Sequence, residues 1–344
     1  MHVPDGFIDA PISAATAVVA AGAIAVSLRG ARRELDEQTA PLAGLVAAFI
    51  FAVQMLNFPV AAGTSGHLLG GALAAILVGP YTGVLCVSVV LLMQGILFAD
   101  GGLTALGVNI TDMAITTTVV AYAVFRGLVK VLPRTRRSIT AASFTAALLS
   151  VPAAALVFTL LYSLGGTTDV SLAKVATAMI GVHLLIGIGE AAITALTVGA
   201  VIAVRPDLVY GARGLEQRLK LRVNGELVDA PTQLEPVSAE GVSRRKLWIT
   251  GLVASLLLAG FVSFYASSNP DGLEKVAADQ GIDQKAKEHA SADSPLADYG
   301  VRDVDDARLS GGLAGVIGVG VTVVAGTGVF WAVRKRRGTT SQAA

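Results

Sequence analysis

Long apolar stretches separated by short charged or turn-rich breaks run from residue 12 to residue 333. Reading between the breaks predicts helices over residues 12–28, 41–58, 68–78, 81–98, 103–125, 140–164 and 172–204, then two more over 247–266 and 313–333. Most of them approach or exceed the roughly 20 residues that cross about 30 Å of hydrocarbon. The third spans only about 16 Å and ends at Gly79-Pro80, where the proline ring cannot continue a helix, so it is read as a short or tilted crossing. The expected fold is all-α: a polytopic membrane bundle of about seven helices with a two-helix C-terminal hairpin.

A mean hydropathy of +0.67 with only 15% charged residues excludes an ordinary soluble domain and leaves the bilayer as solvent. Glycine is abundant (38) against 6% aromatics, which suits helices that meet through small residues. A net charge of +1 gives no reason to expect nucleic acid as a partner. The cations matter by position. Arg29, Arg32 and Arg33 follow the first helix, and Arg126, Lys130, Arg134, Arg136 and Arg137 follow the fifth. Arg244, Arg245 and Lys246 precede the eighth, and Arg334, Lys335, Arg336 and Arg337 follow the ninth. Cytoplasmic loops collect Lys and Arg, and all four clusters share one side only if Gly79-Pro80 separates two crossings. Met1 is then extracytoplasmic, with residues 59–67, 100–102 and 267–312 on its face, and the C-terminus is cytoplasmic.

Three parts follow: a membrane domain at 1–204, a charged cytoplasmic linker at 205–246 carrying Pro206, Pro231 and Pro236, and a hairpin domain at 247–344. No fixed-period repeat occurs, and low complexity is confined to the tail at 339–344. The one cysteine, Cys86, lies in an apolar run, so it offers neither an internal disulfide nor a CxxC site and reads as packing. The N-terminus carries Asp5 and Asp9 where a secretory signal has its basic region, and bulky His2 disfavours removal of the initiator methionine. Met1 is therefore expected to be the mature first residue.

Four histidines are available: His2, His67, His183 and His289. The first two share the outer face and stand beside flexible turns, Pro4-Asp5-Gly6 and Gly63-Thr64-Ser65-Gly66. An α-amine with pKa near about 8 can shed its proton and bind a metal, as imidazole does. With His at position 2, the amine, the intervening amide nitrogen and the ring nitrogen close two fused chelate rings, and His67 adds a fourth nitrogen. Four nitrogens in a plane favour Ni(II) or Cu(II) over Zn(II). The bland alternative is a polar N-terminal residue and a loop histidine that caps the next helix.

The segments Met1-His2-Val3-Pro4-Asp5-Gly6-Phe7-Ile8, Asn57-Phe58-Pro59-Val60 and Gly63-Thr64-Ser65-Gly66-His67-Leu68-Leu69-Gly70-Gly71 resemble the CbiM/NikM family. The resemblance continues through Phe98-Ala99-Asp100-Gly101-Gly102-Leu103-Thr104-Ala105-Leu106-Gly107 and Gly181-Val182-His183-Leu184-Leu185-Ile186-Gly187-Ile188-Gly189-Glu190, and covers residues 1–204. These are substrate-capture subunits of energy-coupling-factor importers for cobalt and nickel in prokaryotic plasma membranes. The resemblance implies planar binding of Ni2+ or Co2+, as transported substrate rather than cofactor, by the Met1 amine, the His2 amide and ring, and His67. It also implies a transmembrane coupling protein and two ATP-binding subunits as partners. Val3 replaces the more usual Ile, and Thr64-Ser65-Gly66-His67 looks closer to nickel-type members. Asn269-Pro270-Asp271-Gly272-Leu273-Glu274 and Ser294-Pro295-Leu296-Ala297-Asp298-Tyr299 are similar to the PDGLE-type accessory subunit, CbiN/NikN, with Ala297 where Pro is common. Asp271 and Glu274 read either as a capped helix start with solvated carboxylates or as direct ligands.

Other polar residues carry weaker signals. Asn57, Ser65, Asp100 and Asn109, with Gln94 and Asp112, are able to support the site by holding His67 in one tautomer, or to make ordinary interhelical hydrogen bonds. His183 and Glu190 lie on one face of the seventh helix as a structural network or a proton relay, and a proton-coupled secondary transporter or channel built on them is the rival function. His289 sits in a charged outer loop and is expected to be solvated. Ala43, Ala47, Ala48 and Ala52 form small-residue stripes that suit either docking of the coupling subunit or internal packing. Neither GxxxxGK[ST] nor HExxH occurs, so ATP hydrolysis belongs to partners and no hydrolase is expected. Ser65 is too close in sequence to His67 for the separated pair that nucleophilic catalysis uses.

Overall fold

The structure is a computed structural model and describes residues 1–35, 39–61, 63–133, 135–213, 220–223, 226–229 and 243–338. The fold is all-α. In order, α1 (Ala10–Glu34), α2 (Thr39–Gln54), α3 (Gly71–Val78) and α4 (Pro80–Leu97) are followed by α5 (Leu106–Asn109). A π-helical segment, Ile110–Thr116, runs from α5 into α6 (Thr117–Val131). The long α7 (Arg136–Gly165) and α8 (Leu172–Val204) precede α9 (Arg244–Gly260), α10 (Gly272–Gln280) and α11 (Ala307–Gly338). Among the described residues, seven continuous helical stretches are long and apolar enough to cross a membrane. Their outward faces are apolar too: Val18, Leu196 and Val324 are 73%, 74% and 73% exposed, as lipid-facing positions should be.

Local chemistry explains the helix starts. Asp9 accepts from Ile12 N at 2.9 Å and caps α1, while Thr135 and Ser243 do the same for α7 and α9. The Gly79-Pro80 break is a tight helical hairpin. Gly79 takes φ of 104°, Pro80 opens α4, and Gly83 packs so closely that a β-carbon there would stand 2.9 Å from Ala75 N. Glu34 closes this end of the bundle, accepting from Tyr81 N at 3.2 Å and Thr82 N at 2.7 Å.

Several expectations change. Residues 58–66 hold a small hairpin, β1 (Phe58–Pro59) paired with β2 (Ser65–Gly66), rather than a plain loop. The stretch after Val204 is not all linker, because Leu208, Val209 and Ala212 are buried and Gly211 packs on Phe125. Farther on, β3 (Lys220–Val223) pairs with β4 (Glu226–Asp229). Pro231, Pro236, Arg134, the side chains of Arg336 and Arg337, and the tail at 339–344 lie outside the described residues.

The alanine stripes of α2 are also reassigned. Ala43, Ala47, Ala48 and Ala52 are fully buried, and α2 packs along α11: a β-carbon on Gly326 would stand 3.6 Å from the Ala47 methyl. Cys86 Sγ–H donates to the Ala43 carbonyl at 3.4 Å on the other side. The small residues let α2 sit between α4 and α11, so they present no surface to another subunit.

Candidate metal centre

The first nine residues thread into the bundle rather than lying on it. Met1, Val3 and Phe7 are 2% exposed or less. Asn109 holds the strand in register, taking the Val3 N–H at 2.7 Å and donating to the Val3 carbonyl at 3.1 Å. Asp5 accepts from Thr104 N at 2.8 Å, and Gly102 N donates to the Val3 carbonyl at 2.9 Å. The His2 amide N–H makes no hydrogen bond among the described residues.

This threading brings His2 against His67, with ring centroids 5.2 Å apart and planes inclined by 20°. His67 Nδ1–H donates to the Leu68 carbonyl at 3.0 Å, which leaves the Nε2 lone pair facing the Met1 nitrogen at 2.7 Å. The ring is therefore oriented by its own backbone neighbour, and not by Asn57, Ser65, Asp100, Asn109 or Asp112. Among the described residues, Asn57 offers only its carbonyl, to Ser267 N. Ser65 Oγ donates to the Asn269 carbonyl at 2.8 Å, and the Asp112 carboxylate is buried without a hydrogen-bond partner among the described residues.

Asp271 completes the cluster. It caps α10 in a capping box with exposed Glu274, so the capped-start reading holds, but it is buried rather than solvated. Its Oδ2 pairs with the Met1 ammonium and lies 3.4 Å from His67 Nε2. Among the described residues, one donor atom each from His2, His67 and Asp271 fall within 4.8 Å of one another. Burial alone would push the Asp271 carboxyl up; the N-terminal charge and the His67 ring outweigh it and hold the group well below the usual carboxylate range. Burial lowers His2 to about 4, against a smaller opposing pull from Asp100, so its ring stays neutral and able to ligate.

A second network sets the His2 tautomer. Tyr299 O–H donates to Asp100 Oδ2 at 2.6 Å, and having spent its only proton it must accept from Gln94 Nε2 at 2.9 Å. Gln94 Oε1 then faces His2 Nε2 at 3.1 Å as an acceptor for its proton, and in that tautomer Nδ1, 3.2 Å from Asp100 Oδ1, keeps its lone pair. Nδ1 is the nitrogen that can close a chelate ring with the His2 amide. Tyr299 was not singled out from the sequence; it lies in the Pro295-Leu296-Ala297-Asp298-Tyr299 stretch, where no periodicity marks it. Burial and the neighbouring Asp100 push its phenol well above the ordinary value, so it remains a donor. Asp298 and Tyr299 both take left-handed φ, 53° and 57°, held by Asp298 N–H to the Phe98 carbonyl at 2.9 Å and by ring stacking on Phe98 at 4.8 Å.

The 267–312 region thus closes over the N-terminus. Lys287 N donates to the Asp5 carbonyl at 2.8 Å, and Ser294 Oγ to the Leu97 carbonyl at 2.6 Å. His289 is half-buried rather than simply solvated; its Nε2 donates to the Gly101 carbonyl at 3.1 Å while Nδ1 accepts from Ser291 N at 2.9 Å. Gly101 takes φ of 80°, and a β-carbon there would crowd the His2 side chain at 3.3 Å.

His183 and Glu190 do not bond to each other. His183 Nδ1–H donates to the Met179 carbonyl at 2.7 Å. Glu190 accepts from Leu69 N at 2.7 Å and Gly70 N at 3.1 Å, anchoring the backbone after His67 to the start of α3. Glu190 thus ties α8 to the segment that carries His67.

Residues 2–208 match the family described as cobalt uptake substrate-specific transmembrane region, CbiM, and residues 245–335 match the PDGLE domain. A Haloquadratum walsbyi chain provisionally named a metal transport protein is 39% identical over 210 residues, which cover 61% of this chain and 94% of the relative. An Archaeoglobus fulgidus chain provisionally named a fused nickel transport protein, NikMN, is 40% identical over 210 residues, covering 61% of this chain and 68% of that one. A crystal structure described as a truncated transition metal transporter is similar at a TM-score of 0.53 and 27% identity, covering 59% of this chain and 99% of that one.

Proposed function

The chain belongs to the CbiM family with a PDGLE domain after it, a membrane component of cobalt or nickel transport, and from that premise we propose that it is the metal-capture subunit of an energy-coupling-factor importer. The ligands are the Met1 amine, the His2 amide and Nδ1, and His67 Nε2. The observation that carries this is the 2.7 Å approach of the Met1 nitrogen to a His67 nitrogen whose lone pair is already turned toward it. Four nitrogens about 2.0 Å from a central ion make a square with edges of about 2.8 Å, so these two stand at the separation of adjacent ligands. Capture exchanges protons for metal: the Met1 ammonium gives up its proton, the unbonded His2 amide loses its own, and the ion takes their place. Asp271 supplies a negative charge beside the ion and ties the accessory domain to the occupied site.

Several features support an extracytoplasmic site. The cations of α1, α6, α7, α9 and α11 gather toward the end of the bundle where the Arg213 guanidinium donates to the Glu34 backbone carbonyl at 3.4 Å, and Met1 lies at the other end. The division into a capture domain (1–204), a linker (205–246) whose first residues, through Ala212, pack on the capture domain, and an accessory domain (247–344) belongs to the same proposal. With no phosphate-binding loop in the chain, two ATP-binding partners and a transmembrane coupling protein supply the energy, and this subunit is not itself an enzyme.

The test is a titration of purified protein with Ni(II) and Co(II), with and without a Gly-Ser extension before Met1. One ion should bind per chain, and the extension should abolish tight binding because it converts the amine into an amide. Tight binding that survives the extension refutes the site.

A further inference from the structure

The end of the bundle opposite Met1 holds a cavity for which metal capture has no use. Its volume is about 270 Å3, the space of roughly nine liquid waters, and it lies where α6 ends, α7 begins and the segment after α8 folds back. Three cations line it: Arg126 and Lys130, one turn apart at the end of α6, and Arg213. Ser138, in the first turn of α7, and the apolar Leu132 and Ile139 form other parts of the wall, and among the described residues no acidic side chain does.

These charges are available to a ligand. Arg126 and Lys130 make no ion pair among the described residues, and both are exposed, so their long side chains are free to converge on one group. Arg213 is held over the Tyr210 ring at 4.5 Å and donates once, to the Glu34 carbonyl at 3.4 Å, which leaves most of its five N–H donors unused among the described residues. Glu34, the acidic residue beside it, already has its carboxylate oxygens on Tyr81 N, Thr82 N and Thr82 Oγ. The 30-residue α7 starts at the same place and adds the positive end of its dipole. Position then selects the anion. Val131, between the lining residues Lys130 and Leu132, is 79% exposed, as a side chain against acyl chains should be. A free anion has use only for the cations, whereas a phospholipid uses both the cations at the level of its headgroup and the apolar surface that runs on from them.

We propose that this cavity binds the phosphate of an anionic phospholipid, with Arg126, Lys130 and Arg213 on the phosphate oxygens and the acyl chains lying along α6. The bound lipid joins α6, the start of α7 and the segment at 206–213 at the end of the bundle remote from the metal centre. The proposal stands independently of the capture reading, since no residue of that site takes part.

The experiment releases the full chain from nanodiscs of mixed phosphatidylcholine and phosphatidylglycerol and counts the lipids it retains by native mass spectrometry. The parent should retain phosphatidylglycerol in preference to phosphatidylcholine. At about fivefold per cation near an anionic headgroup, Arg126→Gln combined with Lys130→Gln should weaken that retention by about 25-fold, and the variant should melt as the parent does because both side chains are exposed. Arg213 stays in place in this test, since it also braces Tyr210 and Glu34. Arg126→Lys combined with Lys130→Arg keeps both charges and should keep the lipid. Arg29→Gln combined with Arg33→Gln removes the same charge outside the cavity and should leave retention unchanged. Equal loss in the two glutamine pairs reduces the effect to general surface attraction and overturns the site. A parent without preference for phosphatidylglycerol, or one from which millimolar inorganic phosphate displaces it, overturns the phospholipid as occupant.

Discussion

Replacing Tyr299 with Phe deletes one oxygen and keeps the ring that stacks on Phe98 at 4.8 Å. Two hydrogen bonds go with it: the 2.6 Å bond to Asp100 and the 2.9 Å bond from Gln94. The first is charge-assisted and of the kind that contributes about 1.5–3 kcal/mol. Without it, the Gln94 amide is free to turn over, and Asp100 Oδ1, 3.2 Å from His2 Nδ1, becomes the best acceptor for the ring proton. His2 then prefers Nδ1–H, the form that cannot ligate through Nδ1. A bias of about 1.5 kcal/mol toward that tautomer leaves roughly one chain in ten competent, so apparent affinity for Ni(II) should fall about tenfold. Histidine 15N spectra of the apo protein give an independent reading, since pyrrole-type and pyridine-type nitrogens are well resolved. His2 Nδ1 should be pyridine-type in the parent and pyrrole-type in Tyr299→Phe. A parent already protonated at Nδ1, or a variant with unchanged affinity and spectrum, refutes the reasoning.

Other consequences are open to simpler measurement. Asp271→Asn retains a good N-cap while Asp271→Ala does not, so in thermal unfolding Ala should cost about 1 kcal/mol more than Asn, and both should weaken metal binding; equal melting would mean the cap contributes nothing. The apo protein should be acid-labile. His2 is lowered from 6.5 to about 4, so the unfolded chain takes up a proton that the folded chain refuses, and stability present above pH 6.5 is lost as pH falls toward 4, by about 3 kcal/mol. Asp271, also lowered, adds its loss below its unfolded value of 3.8; a melting temperature flat from pH 7 to 4 would contradict the His2 loss, and one flat below pH 4 the Asp271 loss. Ala47→Leu overfills the α2–α11 contact and should destabilise by about 1–3 kcal/mol, measured by unfolding in detergent; unchanged stability with lost uptake would return the stripe to a docking role. Glu190→Gln leaves one acceptor for two N–H groups and should cost about 1–3 kcal/mol while loosening the His67 segment, visible as faster amide exchange at Leu69 and Gly70.

The order of hydrophobic spans and the break at Gly79-Pro80 were legible in the chain itself, and the meeting of Met1-His2 with His67 was one of two readings until the family resemblance favoured it. The first two rest on local signals: an apolar run of bilayer length and a proline that cannot continue a helix. What no local signal carries is the use made of residues that are polar in an ordinary way. Asp271 caps a helix by its sequence and faces the Met1 ammonium only because the chain 270 positions later is laid across Ser65, whose N–H donates to the Pro270 carbonyl at 2.8 Å. Tyr299 acts on a histidine at the start of the chain, a relation that exists only once the loop at 267–312 has closed over the N-terminus. The alanines of α2 illustrate the same limit, because a small-residue stripe states that something packs closely and leaves the partner open. Sequence determined what each segment is able to do, since helix formation, capping and metal affinity are properties of a few neighbouring residues. Tertiary structure decided which segments meet, because burial and hydrogen-bond direction depend on every element that closes around the site.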